Sequence, residues 1–418
     1  MRRPPRAHRL RALASKEPSV LKRRLFTVPR LVVLAVLALA CGGGQKGPSA
    51  PGVPIDLSRP DDALFAEGLA LYDAANASAS EARRLGATDL AASAAKEAQA
   101  LQGYAEARAK FDALPVRFPT SIRLDNAAYL AGRCSYERGT IGGDPLEFQD
   151  GALRLDAMQV AFPTSPFIDN AAYFAGRARF QLGDYEAARL QFQRSLAAAP
   201  TGPYADNAQY FLGRSDFELG LALAGAGDGL GAHAKLDLAE AELPAVPTTS
   251  AFYDNAQYYL GRSYFEEPVN ATATFTLLSP AESAARKANL EAAISAFGRT
   301  LAVPAATHAD SARFWLGRAR YAHAFYATAG LDPADLAAAA AAFRAVPATS
   351  TYADNALHYL ARTYVNSSWR YCTTPHPTDP APASACAAYA ALAAGFPSSS
   401  YVASTAEYLA AQTCTCTF

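Results

Sequence analysis

The chain has 418 residues, of which 51% are hydrophobic, and it carries 38 lysines and arginines against 38 aspartates and glutamates. The charges are unevenly placed, because ten of the basic residues and one of the acidic residues lie within residues 1–30. The rest of the chain has 28 basic and 37 acidic residues, a net charge of −9. A nucleic-acid-binding protein needs a basic face, so the composition predicts no nucleic-acid partner.

The first 40 residues have the layout of a secretory signal peptide. The basic stretch is followed by ten uncharged apolar residues, LVVLAVLALA (31–40), and then by Cys41. A helix needs about 20 apolar residues to cross a bilayer, so this segment is too short to be a membrane span. A basic stretch, a short apolar stretch and small residues at a cleavage site are together typical of a signal peptide that is removed.

The residues before the cysteine, Ala38-Leu39-Ala40, resemble the lipobox of bacterial lipoproteins. The resemblance implies cleavage before Cys41, lipidation of its thiol and a membrane contact through that lipid. The alternative is an ordinary cleaved signal that leaves a free thiol. Gly42 replaces the Asp that typically retains such proteins at the inner membrane, so the resemblance implies an outer-membrane location facing the periplasm. Residues 41–60, rich in Gly, Pro and Ser, are predicted to form a flexible tether of roughly 25 Å.

From residue 61 onward one twelve-residue pattern recurs along the chain. Its clearest copy is DNAQYYLGRSYF (254–265), whose residues are numbered here as positions 1–12; other copies begin at residues 61, 125, 169, 206, 310, 354 and 404. A second pattern lies between the copies, as at Tyr185, Ala188, Phe192 and Pro200. Offsets of three, four and seven residues share one helical face, and alanine is the best helix former. Each repeat therefore predicts two helices.

Seven helix pairs followed by a lone last helix predict an all-α fold, a right-handed superhelical solenoid over residues 61–418. Position 8 is glycine in six copies, and we expect it to let the partner helix approach closely. The Asp at position 1 is expected in the first helical turn, where the helix dipole favours a carboxylate. The serine four residues earlier is expected to cap the helix; these serines are Ser121, Ser165, Ser250 and Ser350.

The pattern resembles the tetratricopeptide repeat, whose offsets are matched by Gly176, Gly183, Tyr185, Ala188, Phe192 and Pro200. The family's Trp at position 4 is absent, and Ala172 stands there. With the lipobox, the phrase FPTSPFIDNAAYFAGR (162–177) is similar to an envelope subclass that includes the Tol–Pal-associated periplasmic protein and the lipoprotein of the barrel-assembly complex. The resemblance implies a protein–protein interaction scaffold in envelope biogenesis or maintenance.

In the repeats that the chain resembles, positions 2, 5, 9 and 12 of the first helix line a concave groove that binds partners. Arginine forks bind carboxylates and tyrosine gives rigid contact area, so a groove of this kind suits an extended or helical peptide or an acidic partner segment. The resemblance implies that the partners are envelope proteins. The residues carried over are Asn207, Tyr210, Arg214, Asn255, Tyr258, Arg262, Arg318, Asn355 and Arg362. The alternative, which we favour for the arginines and the aromatic residues, is structural: each arginine pairs with an acid of a neighbouring unit, and the rings pack between repeats.

Long turns inside the units offer a second candidate binding surface. These segments, 77–100, 221–231, 266–288 and 366–385, are predicted insertions that emerge along one edge. Insertions often carry binding residues, but they are also tolerated at little cost, and tolerated drift is the interpretation that we favour.

The cysteines after Cys41 fall into two groups. Cys372, Cys386, Cys414 and Cys416 lie close to the C-terminus, and in an oxidising compartment we expect disulfides among them, with the pairing left open. A metal site with His376 is the alternative, but the spacing matches no strong zinc pattern, so we predict no metal or cofactor. Cys134 lies among apolar residues and is predicted to be a buried free thiol.

The sequence contains no phosphate-binding glycine motif, nucleophile elbow or helical histidine pair, and the chain is predicted not to be an enzyme. Two alternatives to the scaffold interpretation remain. One is an envelope protein that binds peptidoglycan or another carbohydrate, because aromatic ladders also suit sugar stacking. The other is an accessory subunit of an envelope enzyme.

Overall fold

The computed structural model describes residues 54–266, 279–326 and 331–416. Within these residues the chain forms fifteen α-helices and no β-strand, which confirms the predicted all-α class. The predicted signal peptide, Cys41, most of the predicted tether and residues 267–278 of one predicted insertion lie outside the described residues. The last residues of the predicted tether belong to the folded part: the carbonyl oxygen of Pro54 accepts a hydrogen bond from the buried Arg123 at 2.8 Å, and Pro60 begins the first helix.

The described chain divides into two compact units, called here the first unit (residues 54–219 and 245–252) and the second unit (residues 220–244 and 253–416). The helices of the first unit are α1 (Pro60–Leu85), α2 (Leu90–Arg117), α3 (Leu124–Gly142), α4 (Pro145–Ala161), α5 (Ile168–Gln181) and α6 (Tyr185–Ala198). Each helix from α1 to α5 packs on the next one along the chain. The following helix, α7 (Ala205–Ala226), contains the boundary between the units.

The helices of the second unit are α8 (Gly229–Glu242), α9 (Tyr253–Glu266), α10 (Pro280–Ala302), α11 (Ala309–His323), α12 (Pro333–Arg344), α13 (Ala353–Ser367), α14 (Ala385–Gly395) and α15 (Ser400–Ala411). Here too each helix packs on the next one. The first seven copies of the repeat lie on the odd-numbered helices α1 to α13. The eighth copy is offset, because α15 begins four residues before it and ends at Ala411.

At position 8 of the repeat a side chain of the partner helix packs directly against the glycine. A Cβ atom added at Gly176 in α5 would lie 2.7 Å from Cε1 of Phe192 in α6, closer than two carbon atoms can pack. The same close contact recurs in four other pairs, Gly68 with Phe111, Gly132 with Leu155, Gly261 with Phe297 and Gly317 with Phe343. The predicted role of the small residue is therefore confirmed at these five positions.

The predicted serine caps are wrong for α3, α5 and α13, whose N-caps are Arg123, Phe167 and Tyr352 with no side-chain cap. Each serine lies two residues earlier, because a short turn separates it from the helix. Its Oγ accepts a hydrogen bond from the backbone amide two residues on, at 3.2 Å for Ser121, Ser165 and Ser350. In two of these turns the hydroxyl also donates to the position-1 Asp of the preceding pair, as described below for the site.

Two of the predicted insertions are not loops. The segment 77–100 belongs to α1 and α2, which are separated by only four residues, and 221–231 is mostly the end of α7 and the start of α8. The segment 77–100 is rich in alanine, the best helix former, so the helices extend through it without a long loop. The segment 366–385 does contain a long connection, which begins with a short 3-10 helix (Trp369–Cys372).

Candidate functional site

None of the nine predicted groove residues has an exposed side chain. Five are buried, namely Tyr210, Asn255, Tyr258, Asn355 and Arg362. The other four, Asn207, Arg214, Arg262 and Arg318, are half-buried. Asn207, Tyr210 and Arg214 belong to the first unit and the remaining six to the second.

Five of the position-9 arginines stack on an aromatic ring of the first helix of the following pair. In the first unit the guanidinium carbon of Arg133 lies 3.5 Å from the ring centre of Phe174, and that of Arg177 lies 4.2 Å from Phe211. In the second unit the corresponding pairs are Arg262 with Trp315 at 3.9 Å, Arg318 with Tyr359 at 4.2 Å and Arg362 with Tyr408 at 4.5 Å. Such contacts are attractive, because the ring face carries negative charge density. These arginines therefore join successive helix pairs.

Three position-9 arginines have an acidic partner on their own helix. Arg133 donates to Glu137 at 2.7 Å, Arg214 to Glu218 at 2.8 Å, and Arg262 to Glu266 at 3.0 Å. The acid that pairs with each of these three is therefore not the predicted acid of a neighbouring repeat, because a glutamate four residues on lies one helical turn away. For Arg133 and Arg262 the next repeat contributes a ring instead. The sequence analysis did not predict that the aromatic residues at position 6 stack on these arginines, although their recurrence in the repeats could have indicated it.

The position-5 tyrosines link the arginine to the following pair by hydrogen bonds. Arg177 donates to the hydroxyl of Tyr173 at 2.8 Å, and the side-chain amide of Asn207, at position 2 of the next copy, donates to the same oxygen at 3.4 Å. Arg262 donates to Tyr258 in the same way at 3.3 Å. Asn207 was predicted to line a groove; its side chain contacts the preceding helix pair.

Position 5 of α13 is His358, which holds the last helix. Its Nδ1 lies 2.8 Å from Oγ1 of Thr405, which itself donates to the carbonyl oxygen of Tyr401 at 2.6 Å. Because that hydroxyl hydrogen is used, Nδ1 must carry the proton and donate to Thr405. Burial, assisted by the positive charge of Arg318, lowers the pKa of His358 to about 3. The imidazole is therefore neutral at physiological pH.

The position-1 aspartates also connect neighbouring pairs. The hydroxyl of Ser121 donates to Asp61 at 2.7 Å, and that of Ser165 donates to Asp125 at 2.7 Å. In the second unit Ser399 donates to Asp354 at 2.8 Å, and the backbone amide of Thr307 donates to Asp254 at 2.7 Å. The aspartate therefore fixes the turn that leads into the first helix of the following pair.

The four C-terminal cysteines form two disulfides with crossed pairing. Cys372 is bonded to Cys414 and Cys386 to Cys416, with Cα separations of 5.5 and 5.4 Å. The bridge from Cys372 to Cys386, one of the pairings left open by the sequence, is not formed. All four sulfur atoms are used in disulfides, so they are not the thiolates that zinc requires. Cys134 is free and buried, and burial raises the pKa of its thiol.

The chain matches no protein-family model and no curated protein. Within the described ranges, no helix has the length and apolar character of a membrane span. The function is therefore argued from the chain's own residues and contacts.

Proposed function

We propose that this chain is an outer-membrane lipoprotein that faces the periplasm and acts as a protein–protein interaction scaffold, in barrel assembly or in Tol–Pal-linked maintenance of the envelope. In this proposal Cys41 carries the lipid anchor, residues 42–53 hold the helical part away from the membrane, and the helix pairs form a tetratricopeptide-like superhelical solenoid. The role is binding and not catalysis, and no metal or cofactor takes part.

The observation that carries the proposal is a repeated stacking contact between the first helix of one pair and the first helix of the following pair. In α3, α5, α9, α11 and α13 a position-9 arginine stacks on a ring of the next first helix. Identical contacts impose a similar step from one pair to the next, and a constant step is what produces a solenoid. Solenoids of helix pairs present extended surfaces to partners, which supports a scaffold.

The accessible part of the proposed groove lies at its arginine–glutamate pairs. The side chains of Arg214 and Glu218 are 19% and 20% exposed, and those of Arg262 and Glu266 are 14% and 20% exposed. A partner that approaches these first helices would therefore meet paired charges before it met the tyrosines. Sugar stacking would need open ring faces, whereas Tyr210 and Tyr258 are buried. The carbohydrate alternative is thus less well supported on this face.

Photo-crosslinking in the native host tests the scaffold role. A photoreactive residue is placed at Glu218 or Glu266, beside the arginines, and a matched control is placed at Leu153 on α4, which is 61% exposed. We expect discrete protein adducts from the glutamate positions. Adducts from Leu153 alone would support a scaffold role but would contradict partner binding at the arginine–glutamate pairs. Captured glycan, or no adduct from any position in abundant protein, would overturn the scaffold.

A second experiment tests the anchor separately. Cys41→Ala removes the thiol that would be lipidated, while the helical part, from which it is separated by the tether, is unchanged. We expect the wild-type protein to be found in the outer-membrane fraction and to incorporate radiolabelled palmitate. We expect the variant to be absent from that fraction and to remain unlabelled. An unlabelled wild-type protein that is soluble in the periplasm would contradict the anchor and leave the scaffold standing.

A further inference from the structure

The sulfur atoms of the two disulfides lie together at the C-terminal end of the second unit. Cys372 ends the 3-10 helix, Cys386 lies in the first turn of α14, and Cys414 and Cys416 follow α15. The Sγ atoms of Cys372 and Cys386 belong to different disulfides and are 4.0 Å apart. The Sγ atoms of Cys372, Cys386 and Cys414 all lie within 4.8 Å of one another. A thiolate formed at Cys386 would thus lie beside the neighbouring disulfide.

The two disulfides differ in their access to solvent. Cys372 and Cys414 are buried, with 4% and 3% of their surfaces exposed. Cys386 and Cys416 are both half-buried. Because thiol–disulfide exchange requires a thiolate to reach a sulfur atom, a reductant in solution meets the Cys386–Cys416 bond first. The buried bond is then within reach of an internal thiolate and not of the external one.

We propose that the Cys386–Cys416 disulfide is a thiol–disulfide exchange site for an external dithiol, and that its reduction transfers the remaining bond to Cys372–Cys386. In the first step a thiolate of the dithiol attacks Sγ of Cys416, and Cys386 leaves as a thiolate. The second thiol of the reductant then resolves this mixed disulfide, which frees Cys416 and leaves the reductant oxidised.

In the last step the Cys386 thiolate attacks Sγ of Cys372, and Cys414 leaves as a thiolate that takes up a proton. The two electrons of the dithiol end on Cys414 and Cys416, so one disulfide is lost and one is kept. The product closes the loop between Cys372 and Cys386 and carries a Cys-Thr-Cys dithiol after α15.

Proximity favours this rearrangement over simple reduction. In the folded protein the Sγ atoms of Cys386 and Cys372 are 4.0 Å apart, so the attack is intramolecular and has a high effective concentration. Helix α15 also has contacts with α13 other than the disulfides, because Thr405 accepts from His358 and Tyr408 donates to Asn366 at 3.2 Å.

Peptide mapping after limited reduction tests the rearrangement. The full-length protein, with free thiols blocked beforehand, is treated at pH 8 with one equivalent of dithiothreitol, then alkylated and digested with trypsin and Glu-C. Cleavage after Arg370 and Glu407 separates the peptide with Cys372 and Cys386 from the C-terminal peptide with Cys414 and Cys416. We expect a doubly alkylated, unlinked C-terminal peptide, and an internal peptide that retains one disulfide, at several-fold excess over other products.

The same peptide map would also show a result that contradicts the proposal. If the C-terminal peptide remains linked through Cys372–Cys414, with alkyl groups on Cys386 and Cys416, exchange stops at the first bond and the proposal fails. Two double variants check the order of attack. Cys372→Ser/Cys414→Ser keeps only the accessible bond, and Cys386→Ser/Cys416→Ser keeps only the buried one. The buried bond should be reduced at least ten-fold more slowly; equal rates would overturn the proposed order.

Discussion

The Ser165 hydroxyl donates to the Asp125 carboxylate across 2.7 Å, and this bond ties the turn before α5 to the first turn of α3. The same oxygen of Ser165 accepts from the backbone amide of Phe167 at 3.2 Å. One hydroxyl group thus satisfies a carboxylate of one helix pair and an amide of the next. The equivalent pair Ser121 and Asp61 shows that the contact is a repeated feature of the first unit.

Removal of this hydroxyl should weaken the first unit. Ser165→Ala removes the hydroxyl that donates to Oδ2 of the partly buried Asp125, and we expect a loss of about 1–2 kcal/mol in the free energy of unfolding, measured by urea denaturation. The matched control is Thr164→Ala at the adjacent exposed residue, which should change stability by less than about 0.5 kcal/mol. Equal effects of the two substitutions would show that the hydroxyl does not join the pairs.

A pair of glycine substitutions should have opposite effects. Gly176→Ala adds a methyl group 2.7 Å from Cε1 of Phe192, and such overpacking costs about 1–3 kcal/mol. Gly298→Ala, on the exposed face of α10, places its methyl group where nothing lies within 4 Å. It should gain up to about 1 kcal/mol from helix propensity. Thermal unfolding of each variant checks this, and a loss at both positions would contradict the role of position 8.

The helices could be predicted from the sequence because their signals are local. Gly176 and Phe192 recur with fixed spacing, and periodicity of three and four residues defines a helical face without knowledge of the rest of the fold. The long α1 and α2 were missed because a longer repeat was assumed to contain a loop, although alanine continues both helices.

The site was harder to predict, because its contacts join residues far apart in the chain. Ser165 meets Asp125 over 40 residues, and its local position suggested a cap on the nearer helix. Arg262 has Glu266 one turn away and Trp315 in the next pair, and sequence spacing alone cannot rank these partners. The disulfide pairing could not be predicted from sequence spacing either, because four cysteines allow three connectivities.

The attachment of α15 should depend on pH through His358. Its pKa is lowered by burial to about 3 in the folded protein, against about 6.5 in an unfolded chain. The unfolded state therefore binds more protons between these values, so stability is full above pH 6.5 and falls as the pH falls towards 3. At pH 5 the loss from this group should reach about 2 kcal/mol.

The variant His358→Tyr isolates the contribution of His358 to the pH dependence of stability, because tyrosine does not titrate near pH 5. Tyrosine also occupies position 5 in α3, α5, α7 and α9. Urea denaturation of both proteins at pH 8 and pH 5 measures the difference. The wild-type protein should lose about 2 kcal/mol more than the variant on acidification. A similar loss in both proteins would assign the acid sensitivity to other groups.

The stack of Arg262 on Trp315 decides between the structural and the recognition roles of the arginines. The guanidinium carbon lies 3.9 Å from the ring centre, and the same group donates to Glu266 at 3.0 Å. Arg262→Lys keeps the charge but loses the planar fork that makes both contacts. In a double-mutant cycle with Trp315→Leu we expect a coupling of about 0.5–2 kcal/mol in the free energy of unfolding. A coupling near zero, together with loss of a crosslinked partner in Arg262→Lys, would instead assign the arginine to recognition.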